Sequence, residues 1–174
     1  MRILWLLEEI GVPYEIVSHQ RDAKTFMAPA SLKAVHPLGK SPVIEFDDQL
    51  IAESGAITEL LIARFAPERL RPALDSKDYN EYLQWIHFAE SSLMVPVLLE
   101  IFTKNSIDIQ NTFLSKYIAR EKHTLLCYLN EVVKNKSYIV GNKLSGADFM
   151  LSFDLILMAQ AKVLDGYIHV NQYA

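Results

Sequence analysis

The sequence of 174 residues has little of what several classes of protein require. A single cysteine, Cys127, excludes an intrachain disulfide and a Cys-x-x-Cys pair, which favours a reducing, cytoplasmic location. Six glycines are present, and they form no phosphate-binding loop or dinucleotide fingerprint. Lys and Arg number 17 against 21 Asp and Glu, a net charge of −4, so we expect no nucleic-acid partner.

Long apolar runs are absent from the sequence as well. The longest, residues 149–161, is interrupted by Ser152, Asp154 and Gln160 and is shorter than the roughly 20 residues that a membrane span needs. Residues 1–10 are apolar at their centre, but two glutamates close the run and no small-residue cleavage site follows. We therefore expect neither a transmembrane helix nor a signal peptide.

The composition that remains is that of an ordinary folded chain. Hydrophobic residues make up 51% and charged residues 22%, and the length suffices for one large core or two small ones. In the first half, residue spacing predicts alternating helices and strands. These elements are helix 2–10, strand 14–17, helix 30–35, strands 43–46 and 49–51 around an Asp47-Asp48 turn, and a helix from Ser54 to Ala66-Pro67.

The second half has helical periodicity alone. Residues 67–75 contain two prolines and no apolar period, which is typical of a linker. Before the last long helix, Ser145 and Asp148 match a capping box, and Leu144 and Phe149 match a hydrophobic staple. We therefore predict an α/β domain at residues 1–67, a linker at 68–75 and an all-helical domain at 76–174.

Two short motifs each allow a structural and a functional interpretation. Ser41-Pro42-Val43 marks the entry to a strand, where an ordinary trans proline is tolerated. Glu53-Ser54 opens a helix, so the Ser54 hydroxyl either caps that helix or binds a ligand carboxylate. Taken singly, each motif favours its structural interpretation.

Taken in order, the motifs point to a known family. The string from His36 to Val43, His-Pro-Leu-Gly-Lys-Ser-Pro-Val, then two short strands and Glu53-Ser54-Gly-Ala-Ile, resembles the glutathione-binding half of glutathione S-transferases. Arg21-Asp22 and the Leu-Ser-Gly-Ala-Asp of residues 144–148 are similar to bacterial and fungal members near the yeast microsomal-type transferases. The resemblance covers nearly the whole chain and implies a thioredoxin-like domain followed by a helical-bundle domain.

The resemblance also implies roles for individual residues. In the family the proline matching Pro42 is cis, and the main chain of the next residue, Val43, pairs with the cysteinyl backbone of glutathione. Glu53 matches the residue that meets the γ-glutamyl ammonium, while Ser54 and its helix N-terminus face the carboxylate. The implied glutathione-binding set is His36, Lys40, Ser41, Pro42, Val43, Glu53 and Ser54.

Two members of this set have equally simple alternatives. Lys40 is placed to neutralise the glycyl carboxylate, but an ordinary solvated loop lysine explains the position equally well. For His36 the structural interpretation is favoured. The residue that activates the thiol is not assigned, because in the family it follows a first strand and this sequence begins inside the helix after that strand. We therefore expect an incomplete first domain, and C-terminal helices that are also incomplete.

The implied reaction is attack of the glutathione thiolate on a small, largely apolar electrophile, with glutathione as co-substrate and no metal. The electrophile is expected to enter between the domains beside residues 91–94, and the family implies a homodimer. The alternative function is a non-catalytic glutathione-binding or assembly module of the same fold. A disulfide oxidoreductase is excluded because the Cys-x-x-Cys pair is missing.

Other side chains have structural interpretations. Cys127 lies between Leu126 and Tyr128 in a predicted helix, which favours packing over a nucleophilic role. His87 and Glu90 have helical spacing but no further partner for a metal. The aromatic residues Tyr82, Trp85 and Phe88 either border an apolar cleft or pack in the core, and the core is favoured for Trp85.

Overall fold

The chain folds as two compact units. The computed structural model describes residues 1–25, 27–104 and 109–174. The first unit is Met1–Ala66 and the second is Pro67–Ala174. The first contains α1 (Arg2–Ile10), α2 (Ala30–Val35), β1 (Val43–Phe46), β2 (Gln49–Ala52) and α3 (Ser54–Phe65).

Most predicted elements of the first unit are confirmed, but the strand predicted at residues 14–17 is wrong. This segment has no regular secondary structure and pairs with neither β1 nor β2, the two strands that form the sheet in the described part of the chain. Ile16 and Val17 are 63% and 75% exposed, although both residue types favour strands. A strand requires a neighbouring strand for its N–H and C=O groups, and residue type alone does not supply one.

The hairpin of β1 and β2 turns at the predicted residues. The strands pair antiparallel, with Val43 opposite Ala52 and Phe46 opposite Gln49. Asp47 and Asp48 have φ of 51° and 58°, the left-handed conformation that a two-residue hairpin turn requires. Aspartate tolerates this conformation better than most residues, which explains the turn signal in the sequence.

The core of the first unit lies between α1 and α3. On α1 the buried apolar residues are Ile3, Leu6 and Leu7, and they follow one another at helical spacing. The facing helix α3 buries Ile57, Leu61 and Ile62. The closing glycine of α1, Gly11, has φ of 80°, as a left-handed helix cap requires.

All regular secondary structure among the described residues of the second unit is helical, as predicted. Its helices are α4 (Lys77–Phe88), α5 (Met94–Lys104), α6 (Phe113–Val132), α7 (Gly146–Gln160) and α8 (Ile168–Tyr173). A π-helical segment, Ala89–Leu93, joins α4 to α5, and a short 3-10 helix, Val163–Gly166, precedes α8.

Residues 68–75, predicted as a linker, lie within this second unit. Leu70 is fully buried there, and its carbonyl accepts a hydrogen bond from the Gly146 N–H at 2.9 Å.

The N-terminus of α7 has the predicted capping box. One oxygen of the buried Asp148 carboxylate accepts from the Ser145 N–H at 2.8 Å and from the Ser145 hydroxyl at 2.9 Å. The other oxygen accepts from the Ile139 N–H at 2.8 Å and from the Tyr173 hydroxyl at 2.5 Å. Burial raises the pKa of Tyr173 far above its usual range, and the adjacent Asp148 raises it further. One carboxylate thus ties together α7, α8 and the loop before α7.

The continuous helical stretch Lys77–Thr103, made of α4, the π-helical segment and nearly all of α5, is long and apolar enough to cross a membrane by length and composition. That criterion carries little weight, because core helices of globular proteins also meet it. Tyr82 and Trp85 of this helix are almost fully buried in the hydrophobic core of the second unit. The core position favoured for Trp85 is therefore confirmed, and the absence of a membrane span stays a prediction.

Candidate functional site

The hairpin brings the two sequence motifs to one end of the sheet. Val43, the first residue of β1, pairs with Ala52, the last residue of β2. Paired residues in an antiparallel ladder have Cα atoms roughly 4.5–5.5 Å apart. Pro42 therefore enters β1 beside the point where the chain leaves β2 toward Glu53 and α3.

The entry to β1 has the backbone that the resemblance implies. The Ser41–Pro42 peptide bond is cis. Ser41 is exposed, whereas Pro42 and Val43 are half-buried. β1 pairs with β2 along one edge, and no other described strand lies along its second edge. The main chain of Val43, which the resemblance assigns to the cysteinyl backbone, thus stands at the start of β1 directly after the cis peptide bond.

A tight turn before Pro42 depends on Gly39. The Gly39 N–H donates to the His36 carbonyl at 2.8 Å, and Gly39 has φ of 57°. A Cβ at this position would lie 2.8 Å from Lys33 Cγ, so a side chain is excluded by space as well as by conformation. The turn delivers Lys40 to the surface, where its side chain is exposed.

His36 has a structural contact within the same turn. The Nδ1 atom of its ring accepts a hydrogen bond from the Leu38 backbone N–H at 3.4 Å. The backbone N–H of His36 donates to the Leu32 carbonyl at 3.1 Å. These contacts agree with the structural role favoured for His36.

Glu53 begins α3 with an unusual backbone. It is the N-cap residue, its side chain is exposed, and it has φ of 72° and ψ of 113°. Positive φ is uncommon in residues other than glycine and costs about 1–3 kcal/mol when the surroundings hold it. Such conformations cluster at functional sites, and here the conformation sets where β2 ends and α3 begins.

Ser54 is the first residue of α3 and is not its cap. The N-cap is Glu53, and no side-chain capping bond is made there. The Ser54 hydroxyl accepts a hydrogen bond from Arg2 Nη1 at 3.2 Å, and the two residues are only 8% and 5% exposed. The capping interpretation of Ser54 is therefore wrong in this structure.

Arg2 is the residue of this site that sequence reasoning missed. Its distance of one helical turn from Leu6 places it on the buried face of α1, which is a signal that the sequence contained. Ser54 as its partner was not predictable, because the two residues lie 52 positions apart.

Cys127 differs from its predicted packing role. It is exposed, and its Sγ lies 3.6 Å from His123 Nε2, one helical turn earlier on α6. His123 Nδ1 lies 3.0 Å from the Tyr167 hydroxyl. Burial raises the pKa of Tyr167, and the charge of the nearby cysteine adds to the effect. The packing interpretation fails because the neighbouring residues do not cover this face of α6.

The remaining candidates add no site. The described residues include no group of three or more His, Cys, Asp or Glu side chains that could hold a metal ion. A shallow depression of about 730 Å³ in the first unit is lined by Leu7, Glu8 and five residues of the segment 11–16, and none of the predicted glutathione-binding residues is among them. The expected electrophile position, residues 91–94, overlaps the π-helical segment Ala89–Leu93 and stays a prediction.

Two protein-family models match the chain. The N-terminal domain of glutathione S-transferase matches residues 1–64, and the C-terminal domain of glutathione S-transferase matches residues 108–173. The chain belongs to the glutathione S-transferase family. The resemblance inferred from the motifs is confirmed.

Individual relatives of this glutathione S-transferase chain agree. Glutathione S-transferase 1 of Saccharomyces cerevisiae is 32% identical over 181 residues, which cover 92% of this chain and 77% of the relative. The crystal structure of a glutathione S-transferase from Actinobacillus pleuropneumoniae matches with a TM-score of 0.87 and 32% identity, covering 99% of this chain and 79% of that one. The predicted fold class, a thioredoxin-like domain followed by a helical domain, is confirmed.

A third similarity is to a protein with a different name. Elongation factor 1-gamma of Carassius auratus is 28% identical over 121 residues, which cover 69% of this chain and 26% of that protein. A domain similar to this chain therefore also occurs as part of a longer protein that is not named a transferase.

Proposed function

We propose that the protein is a cytoplasmic glutathione transferase that conjugates glutathione to small, largely apolar electrophiles, a detoxification reaction. One observation supports the proposal: Val43, which follows the cis Pro42, pairs with Ala52, the residue that precedes Glu53 and Ser54. These are the elements that the family uses for the cysteinyl and γ-glutamyl parts of glutathione.

Each part of glutathione has a complementary group in this arrangement. The cysteinyl backbone adds to the edge of β1 through the N–H and C=O of Val43. The γ-glutamyl carboxylate faces Ser54 and the N-terminus of α3, where helix N–H groups and the helix dipole favour an anion. Glu53 is exposed and meets the ammonium group, and the exposed Lys40 meets the glycyl carboxylate.

The proposed reaction depends on the thiolate form of bound glutathione. A cysteine thiol with a pKa near 8.5 is mostly protonated at neutral pH, so the thiol must lose its proton before its sulfur attacks. The sulfur then uses an electron pair to form a thioether bond with the electrophilic carbon; with an aryl chloride the carbon–chlorine bond breaks and chloride leaves with the bonding electrons, and the thiol proton has passed to solvent. The binding groups described above hold the peptide in place for this step, and the thiol-activating residue stays unassigned.

The proposal is tested by two measurements on the full chain. Isothermal titration with glutathione measures binding, and thioether formation with an activated aryl chloride measures turnover. We expect saturable binding and a rate above that of the uncatalysed reaction. Absence of glutathione binding by the folded protein would contradict the proposal.

The second candidate is a non-catalytic glutathione-binding or assembly module. The similarity to elongation factor 1-gamma favours it, because that similarity includes most of this chain. The two candidates differ in one result: binding of glutathione without thioether formation supports the module.

We also propose a homodimer on the basis of the family. Sedimentation at micromolar concentration that gives only a species of about the chain mass, 19.8 kDa, would contradict the homodimer.

A further inference from the structure

Arg2 occupies a position that its charge does not favour by itself. It is the first residue of α1 and its side chain is almost fully buried. A helix dipole stabilises cations at the C-terminal end and not at the N-terminal end. Burial of a guanidinium also costs free energy unless its hydrogen-bonding groups are satisfied. The contact with Ser54 contributes to satisfying the hydrogen-bonding groups of this buried cation.

The contact with Ser54 connects this cation to the proposed glutathione site. Arg2 Nη1 donates to the Ser54 hydroxyl oxygen at 3.2 Å. A hydroxyl that accepts a hydrogen bond from a cation is polarised, and its own proton becomes a stronger donor. Ser54 also begins α3, so its hydroxyl lies at the positive end of that helix.

We propose that Arg2 is a positioning residue for the γ-glutamyl carboxylate of glutathione and acts through the Ser54 hydroxyl; this inference rests on the proposed function. The guanidinium fixes the Ser54 side chain before the ligand arrives. Binding then costs less ordering, and the carboxylate meets a polarised hydroxyl close to a buried positive charge.

The test compares two ligands and four forms of the full chain by isothermal titration. The ligands are glutathione and γ-aminobutyryl-cysteinyl-glycine, which keeps the ammonium and lacks the γ-glutamyl carboxylate. The forms are the parent, Arg2→Met, Arg2→Lys and the control Arg64→Met. Arg64 is an exposed arginine of the same unit that pairs with Asp47 at 3.4 Å.

The inference predicts a loss that depends on the carboxylate. Arg2→Met lowers glutathione affinity about ten- to a hundredfold and leaves the affinity for the analogue unchanged. Arg2→Lys retains part of the preference for glutathione, and Arg64→Met changes neither affinity. A melting curve establishes that each form is folded, and if Arg2→Met does not fold, the same two-ligand comparison on Arg2→Lys decides.

The opposite results are equally definite. An equal loss for both ligands, or no loss for either, assigns Arg2 a purely structural role and overturns the inference while the proposed function stands. A folded parent that binds neither ligand overturns the proposed function and this inference with it.

Discussion

The N-termini of α3 and α7 each carry a serine, Ser54 as the first helical residue of α3 and Ser145 as the N-cap of α7, and the two are built in opposite ways. At α7 the Asp148 carboxylate accepts bonds from the N-cap Ser145, so the chain supplies its own anion to the helix N-terminus. At α3 the N-cap Glu53 makes no side-chain capping bond, and Ser54 contacts a buried cation. The α7 N-terminus stabilises the fold with an internal anion, and we expect the α3 N-terminus, where a cation contacts Ser54, to receive the carboxylate of the ligand.

The largest expected effect comes from removing the internal anion. Asp148→Ala leaves donors of Ser145, Ile139 and Tyr173 without their acceptor, and an unsatisfied buried group costs about 1–3 kcal/mol. We expect a loss of about 3 kcal/mol or more in the free energy of unfolding, measured by urea denaturation. The exposed Asp165→Ala is the control and changes little. Equal stabilities of the two variants would remove the structural half of the comparison.

The next effect separates the two serines. Ser54→Ala is expected to weaken glutathione binding by about 1.5–3 kcal/mol, roughly ten- to a hundredfold, and also to lower the melting temperature because the buried Arg2 loses this acceptor. Ser145→Ala is expected to cost about 0.5–2 kcal/mol of stability with glutathione affinity unchanged. Isothermal titration and thermal melting of both variants check this. The comparison is contradicted if Ser54→Ala leaves glutathione affinity intact, or if Ser145→Ala lowers it as much.

A smaller effect concerns pH at the α7 end. The folded state raises the pKa of Tyr173 above the unfolded value of about 10, so the folded state favours the neutral phenol. The contribution of the neutral Tyr173 to the free energy of unfolding is complete below about pH 10. It is lost as pH rises further, at up to about 1.4 kcal/mol per pH unit. Urea unfolding between pH 9 and 11 should show a steeper fall for the parent than for Tyr173→Phe. The same slope in both proteins would contradict this assignment.

The smallest effect is expected away from both helix N-termini. Cys127 is exposed, so Cys127→Ser should change the free energy of unfolding by no more than about 0.5 kcal/mol and leave glutathione affinity unchanged. Iodoacetamide should modify the native protein at Cys127. A thiol that reacts only after unfolding would show that the residue is packed after all.

Sequence reasoning recovered the features that depend on neighbouring residues. Helical spacing located α1 and α3, the Asp47-Asp48 pair located the hairpin turn, and Ser145 with Asp148 located the α7 cap. Each of these signals lies within a few residues of its effect, so local conformation preserves it.

The features that depend on distant residues were missed. Residues 14–17 have strand-forming side chains, but a strand depends on a partner that sequence spacing does not identify. The Arg2–Ser54 contact joins two helices and is fixed only when α1 packs on α3. The exposure of Cys127 depends in the same way on which face of α6 its neighbours cover.

The most direct test of the central claim is a titration of the isotope-labelled full chain with glutathione, followed by backbone amide NMR. The account predicts that the N–H signals of Val43, Ser54 and Gly55 shift as glutathione is added, because these groups lie at the edge of β1 and the N-terminus of α3. The signals of Gly146 and Ala147 at the start of α7 should stay in place. Shifts at α7 with none at α3, or no shift at either helix, would contradict the claim.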